Sequence, residues 1–322
     1  MEQAFRLVTP GRDGRLQRID WEAGAPGPGT LRIRQERIGV NFIDSYFRTG
    51  LYPLPEPAIP GVEGCGIVEA VGDGVSGFAI GQRVAYCAQP GGFATQRLLP
   101  AWRALPLPDA IGAEIAAAWM LRGMTAHMLL SRVYRVGPQS TVLIQAAAGG
   151  LGGLLTQWAK ALGATVIGTV STPEKAEIAT RLGADHVITG RDTALEPEIE
   201  ALTGGAGVDF AIDGVGGDRL RQSIACTRAD GTVASIGQAA GESPALTVAE
   251  IAPRRMIRFA RPSIMAFAAD PEAYRAAGAA VFEMIDRGIA VAPARIYPFA
   301  EAAEALAALE SGQGTGASIL TT

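Results

Sequence analysis

The stretch from Thr141 to Val170, "TVLIQAAAGGLGGLLTQWAKALGATVIGTV", constrains the fold more than any other part of the chain. "TVLIQAAA" and "ATVIGTV" are short apolar runs, the pattern of strands buried on both faces. Between them "GGLGGLLTQWAKALG" opens on glycines, carries helix formers and stops at Gly163. Parallel strands cannot be joined by a tight hairpin, so a strand–helix–strand run of this length predicts a crossover unit. "TPEKAEIATRLG" follows as a helix, and "DHVIT", "VDFAIDGV" and "GTVASIG" follow as strands. Alternation of this kind predicts an α/β fold with a doubly wound parallel sheet.

The turn "AAAGGLGG" also suggests chemistry. Small residues at the exit of a buried strand let the backbone approach a pyrophosphate, and the free N–H groups of the next helix face its oxygens. Against G-x-G-x-x-G, Ala147 holds the first place, Gly149 the second and Gly152 the third. A tight turn with close helix packing explains the glycines alone; their place between two apolar strands favours a dinucleotide site. An NAD site usually offers an acid near the end of the second strand. Here Ser171 stands 19 residues after Gly152, with Lys175 four further on. A hydroxyl and an ammonium attract a 2′-phosphate that a carboxylate would repel, so the expected cofactor is NADPH. The bland alternative is that Lys175 is a solvated helix residue.

The flanking segments have a different texture. "LRIRQERIG", "GIVEAVGDGV", "GQRVAYCA" and "FATQRLLP" read as strands, and the Pro-rich "YPLPEPAIPG" as extended loop. Two helices are expected around "EIAAAWML" and "MTAHMLLSRVY". The C-terminal part supplies a helix in "PEAYRAAGAAVFEMIDRG", a strand near "ARIYPF", a helix in "AEAAEALAALESG" and a last strand in "ASILTT". After the first of these strands, "GVNFIDSYFRTGLYP" gathers Asn41, Asp44, Tyr46 and Tyr52 where a strand is expected to break into a loop. Asn41 capping a turn, or the tyrosines packing, would account for them without any chemistry.

Composition narrows the partners. A net charge of −4 gives no broad basic footprint, which argues against nucleic acid as a main partner. No run of 18 apolar residues is uninterrupted, which argues against a membrane span, and "MEQAFRLVTP" lacks the pattern of a secretory leader. Cys65, Cys87 and Cys226 are too few and too scattered for a disulfide framework or a Cys₄ metal site, and read as packed thiols of a cytoplasmic protein.

Taken with their order and spacing, "GVNFIDSYFRTGLYP", "PGVEGCGIVEAVGDGV", "AAAGGLGG…QWAKALGATVIGTV", "ARPSI" and "YPFAEAAEALAALESGQGTGASIL" resemble the zinc-independent quinone oxidoreductases. These form the zeta-crystallin-like branch of the medium-chain dehydrogenase/reductase superfamily. The resemblance spans essentially the whole chain. It implies a GroES-like, mostly-β catalytic domain from residues 1–123 and 264–322, around a Rossmann NADPH-binding domain at 124–263. Where zinc-dependent relatives carry ligands, this chain has Asn41, Val62 and Leu121, so the resemblance implies no metal. It places Asn41, Asp44, Tyr46, Tyr52 and Arg261 at the catalytic cleft. Thr125, Gly149, Gly150, Leu151, Gly152, Ser171, Lys175, Gly237 and Gln238 are its implied cofactor residues. Gly190 stands where the family often has a stacking tyrosine, with Arg191 next to it, and His127 stands at another common tyrosine position.

The resemblance implies an NADPH-dependent reductase of a quinone or other conjugated acceptor, acting as a homodimer. A reductase of activated C=C bonds and a non-catalytic NADPH-binding, crystallin-like protein are the competing readings. The first would need a tyrosine as proton donor; the second would consume no NADPH.

Overall fold

Alternating side chains make "TLRIRQERIGV" an eleven-residue strand, Thr30–Val40, with Leu31, Ile33, Ile38 and Val40 wholly buried. The computed structural model describes residues 2–11, 14–251, 255–289, 293–312 and 314–322. This strand is the spine of a seven-stranded sheet. It pairs antiparallel with Glu63–Val71, Gln96–Pro100 and Ser318–Thr321, so residues from both ends of the chain meet on it. One core packs Leu31, Ile33, Val68, Val84, Tyr86 and Leu99; another packs Ile38 and Val40 with Phe5, Phe93, Phe299 and Leu306. Met1–Met124 and Ile264–Thr322 form one compact unit, and Thr125–Ser263 the other.

The second unit holds a six-stranded sheet. In chain order its strands are Thr141–Ile144, Thr165–Val170, His186–Thr189, Val208–Asp213, Thr227–Ser235 and Arg258–Ala260. Every neighbouring pair is parallel, and the spatial order is 3-2-1-4-5-6. The order reverses between the first and fourth strands, so their carboxyl ends flank a switch-point crevice. Leu143, Ile167, Ala211 and Val233 form the buried centre of this sheet.

Local structure departs from the sequence expectation in several places. Phe42–Arg48 is a helix rather than a loop. Asn41 is its N-cap, with extended backbone, and the Asp44 carboxylate three residues on accepts the Asn41 N–H at 2.8 Å. An N-x-x-D pattern before an apolar residue is a helix-start signal; the density of polar side chains masks it. "EIAAAWML" and "MTAHMLLSRVY" belong to one helix, Ala113–His127, that continues into a wider π-type turn over Met128–Val133. Two helices that the strand-rich reading passes over, Leu195–Thr203 and Asp218–Cys226, cross over between parallel strands. Their flanking glycines resemble turns, while Leu195/Ile199 and Leu220/Ile224 carry the apolar face.

Gly123 sits inside the long helix for a packing reason. A Cβ there would lie 2.6 Å from Val281 Cγ2, on the helix Pro271–Asp286. Gly→Ala in a helix interior gains about 1 kcal/mol of propensity, but overpacking costs about 1–3 kcal/mol. Gly123→Ala is therefore expected to lower the thermal midpoint. In a Val281→Ala background the same change is expected to raise it, because the clash is gone and the propensity gain remains. Calorimetry of the three variants reads both signs.

Candidate active site

In the Thr125–Ser263 unit the expected cofactor residues collect at the carboxyl ends of the parallel strands. The first strand turns at Ala146, whose φ is +55°, and the helix Gly150–Ala161 starts after its N-cap Gly149. The backbone N–H groups of a helix's first turn lack intrahelical acceptors, and here they belong to Gly150, Leu151 and Gly152. A Cβ on Gly152 would lie 2.2 Å from the Ala146 carbonyl oxygen, so only glycine lets the helix begin this close to the turn. Ala147, which replaces the first glycine of the fingerprint, is accommodated by Gly168 on the second strand, where a Cβ would meet the Ala147 methyl at 2.7 Å. The cradle thus fits a pyrophosphate.

Ser171 follows the second strand directly and is partly exposed. Lys175 lies in the first turn of the helix Pro173–Arg181, whose N-cap Thr172 accepts the Lys175 N–H. Gly190 ends the third strand's exit with φ +117°, and Arg191 beside it is exposed. Arg219 donates to the carbonyls of Gly190, Arg191 and Thr193, so the cation that organises this loop is one the sequence did not single out. Gly237 and Gln238 follow the fifth strand; a Cβ on Gly237 would lie 2.6 Å from the Gly214 oxygen. Arg261 follows the sixth strand and donates to Ser235 Oγ at 2.7 Å. Thr125 and His127 lie near the end of the long helix, where His127 tilts against Trp158 at 6.2 Å. Burial pulls the His127 pKa down.

In the other unit Asn41, Asp44, Tyr46 and Tyr52 come together on the short helix and the loop after it. Tyr46 and Tyr52 meet edge to face, ring centroids 5.3 Å apart. Tyr52 is 39% exposed and so presents a ring to its surroundings. Asp44 is wholly buried: one carboxylate oxygen accepts the Asn41 N–H, the other the Gly61 N–H at 2.9 Å. It clamps the start of the helix to the Pro-rich loop.

Behind Asn41 stands a residue that sequence reasoning missed. Glu63 is wholly buried, and its Oε1 accepts from Asn41 Nδ2 at 2.7 Å and faces Arg122 Nη1 at 3.5 Å. Its Oε2 accepts the Leu121 N–H at 2.7 Å. Arg122 also donates to the carbonyls of Ala118 and Val40. Burial pushes the Glu63 carboxyl up, and Arg122 pulls it back. A signal was present in the sequence, since Glu63 and Arg122 directly follow Val62 and Leu121. Cys65, Cys87 and Cys226 are buried free thiols, and burial pushes Cys65 and Cys226 up to about 12, which leaves them unreactive. Among the described residues no group of three or more His, Cys, Asp or Glu side chains is placed to hold a metal.

A glycine-opened helix at the switch point of a parallel sheet, with a separate mostly antiparallel unit, is the architecture of a dinucleotide-dependent oxidoreductase. Comparison with known proteins agrees. Residues 27–109 match the alcohol dehydrogenase GroES-like domain, and residues 150–281 match the zinc-binding dehydrogenase family. A quinone oxidoreductase of Pseudomonas aeruginosa is 38% identical over 99% of both chains. A 2-haloacrylate reductase of a Burkholderia species is also 38% identical, over 93% of this chain and 94% of that one. The crystal structure of Escherichia coli quinone oxidoreductase complexed with NADPH superposes with a TM-score of 0.93 at 34% identity, covering all of both chains. The chain belongs to the quinone oxidoreductase branch of the medium-chain dehydrogenase/reductase superfamily.

The buried Asp44 gives a pH dependence that can be checked. Burial raises its pKa from the usual 3.8 to about 7, outweighing the backbone N–H groups of Asn41 and Gly61 that pull it down; Glu63 adds to the rise and Arg122 opposes it. The folded state then holds this proton more tightly than the unfolded chain does. Its contribution to stability is full below the unfolded value of 3.8 and lost as the pH rises through about 7. The difference in unfolding free energy between wild type and Asp44→Asn is expected to shrink over that window, by at most about 4 kcal/mol at 1.36 kcal/mol per pKa unit. Urea titrations at several pH values measure it; a difference independent of pH would mean that Asp44 does not titrate there.

Proposed function

We propose that this chain is an NADPH-dependent quinone reductase, cytoplasmic, whose Thr125–Ser263 unit binds the cofactor and whose other unit shapes the acceptor site. The observation that carries the cofactor assignment is the end of the second strand, where Ser171 and Lys175 stand in place of an acid. The N–H groups of Gly150, Leu151 and Gly152 would hold the pyrophosphate, and Ser171 with Lys175 the 2′-phosphate. NADPH, when bound, supplies the hydride. The work of the protein is to position and to exclude water. Tyr46 and Tyr52 offer an edge-to-face aromatic pair that orients a flat ring, and Asn41, held by Glu63, sets the backbone from which they project. A quinone suits such a site because the charge it gains is delocalised, and water can deliver the protons. Gly237, Gln238, Thr125 and Arg261 belong to the nicotinamide side of the same reading.

Lys175→Ala is expected to weaken NADPH binding by about 1.5–3 kcal/mol, the range for a hydrogen bond to a charged group, with NADH almost unchanged. Fluorescence titration of both cofactors reads the difference, and equal losses would remove the 2′-phosphate assignment.

The 38% identity to a 2-haloacrylate reductase favours one second reading, reduction of an activated C=C bond. The two differ in their demand for a proton donor. For a quinone reductase, Tyr52→Phe is expected to keep most of kcat and Tyr46→Phe to lose about tenfold, one hydrogen bond. For a C=C reductase, one of the two variants should lose about 10²–10⁴, as a general acid does. NADPH oxidation with 1,4-benzoquinone and with a 2-haloacrylate, followed by kcat/KM, decides between them. If neither acceptor nor a panel of enones consumes NADPH, a binding role remains.

Homodimer formation through the outer edge strand Arg258–Ala260, which carries the exposed Phe259 and follows the exposed Met256, is part of this proposal. Sedimentation at micromolar concentration is expected to give twice the 33.4 kDa chain mass; a monomer would count against the edge pairing.

A further inference from the structure

Four buried polar side chains at the carboxyl edge of the parallel sheet form one directional hydrogen-bond chain. The Thr169 hydroxyl donates to Gln145 Oε1 at 2.5 Å, and Gln145 Nε2 donates to Ser223 Oγ at 3.0 Å. Ser223 donates its own proton to Asp213 Oδ2 at 3.1 Å. Asp213 Oδ1 accepts the N–H groups of Val215, at 3.0 Å, and Gly216, at 2.7 Å. None of the four residues is more than 6% exposed. With Asp213 ionised the direction is set by chemistry: its carboxylate takes the serine proton, so Ser223 accepts from Gln145. The nitrogen of that amide must then face Ser223 and its oxygen Thr169.

The path of this chain crosses the switch point. Gln145 follows the first strand and Asp213 ends the fourth, and these strands are neighbours. Three of the four residues also reach loops proposed to touch the cofactor, and Ser223, on the helix Asp218–Cys226, joins them. Thr169 lies two residues before Ser171, and Gln145 four before Gly149. Gly216 packs on the loop after the fifth strand, where an added Cβ would lie 2.8 Å from Gln238 Cα, and Ala240 N–H donates to the Val215 carbonyl at 2.8 Å. Apolar residues could pack in place of the neutral links at Thr169, Gln145 and Ser223, whereas Asp213 is needed for the Val215 and Gly216 N–H groups. A fully satisfied polar chain adds a fixed geometry, which apolar packing supplies less well.

Resting on the NADPH reading above, we propose that Thr169, Gln145, Ser223 and Asp213 are positioning residues that couple the adenosine-phosphate side of the cradle to its nicotinamide side. They hold the loops at the spacing of the whole dinucleotide before it binds, which removes an ordering cost from binding. A ligand that touches one side only has no such cost to save. The test compares NADPH with 2′,5′-ADP, which carries the adenosine phosphates alone, on the full chain. Ser223→Ala is expected to raise the Kd of NADPH about tenfold, the worth of one hydrogen bond, and to change that of 2′,5′-ADP by less than about twofold. Adding Thr169→Val to it should weaken NADPH no further, because the coupling is already broken.

A Ser223→Ala protein that melts lower yet binds NADPH as the wild type does would overturn the proposal, leaving a stability element. Equal losses for the two ligands would overturn it as well. If Ser223→Ala does not fold, Thr169→Val alone, which removes one hydroxyl and keeps the shape, carries the same comparison. Wild-type protein that bound neither ligand would remove the NADPH reading itself, whereas wild-type binding of both without the split removes only the coupling.

Discussion

Much of the Met1–Met124 and Ile264–Thr322 unit is organised around the buried carboxylate of Glu63. Ionised groups are costly to bury, and removing one member of a buried pair costs about 3–5 kcal/mol. Glu63 meets that cost with three donors from two places in the chain: Asn41 Nδ2, and the Leu121 N–H and Arg122 guanidinium of the long helix. The strand that Glu63 opens, the helix Ala113–His127 and the N-cap of Phe42–Arg48 are thereby tied at one point. Gly39 follows from the same constraint, since a Cβ there would lie 2.2 Å from Glu63 Oε1 and 2.4 Å from the Ala117 carbonyl.

The two units solve a related problem by different means. In the parallel sheet the buried polar groups are joined by neutral hydroxyl and amide links that end on Asp213. In the other unit an ion pair and a clamp on two backbone N–H groups do it, and burial raises the pKa of the clamping Asp44 to about 7. Both arrangements sit directly behind segments that carry the proposed contacts, loops in the parallel-sheet unit and the helix Phe42–Arg48 in the other. Precise placement by such a supporting layer is what hydride transfer requires, because the cofactor supplies the reactive group and the protein supplies geometry.

The parts of this architecture legible in the sequence are those where one local rule decides. Continuous apolar runs announced the parallel strands, and "AAAGGLGG" announced the turn before Gly150–Ala161. Alternation announced Thr30–Val40. The misread places are those where two rules conflict. Phe42–Arg48 carries an N-cap signal within a crowd of polar and aromatic residues that resembles a loop. Gly123 resembles a helix break, yet it is where Val281 packs. The helices Leu195–Thr203 and Asp218–Cys226 are short, and their apolar faces are two residues wide.

By itself, the sequence determined the class of fold, the glycine cradle, the lack of an acid after the second strand and the family, because each rests on residues close together in the chain or on blocks of sequence in order. Tertiary structure alone decided which polar groups support one another. Asn41, Glu63 and Arg122 are separated by 22 and 59 residues, and Gln145 and Ser223 by 78. No periodicity or spacing rule spans such distances. Hydrogen bonds between buried side chains are set by where the strands and helices bring them, and the low dielectric of the interior makes each of those meetings obligatory.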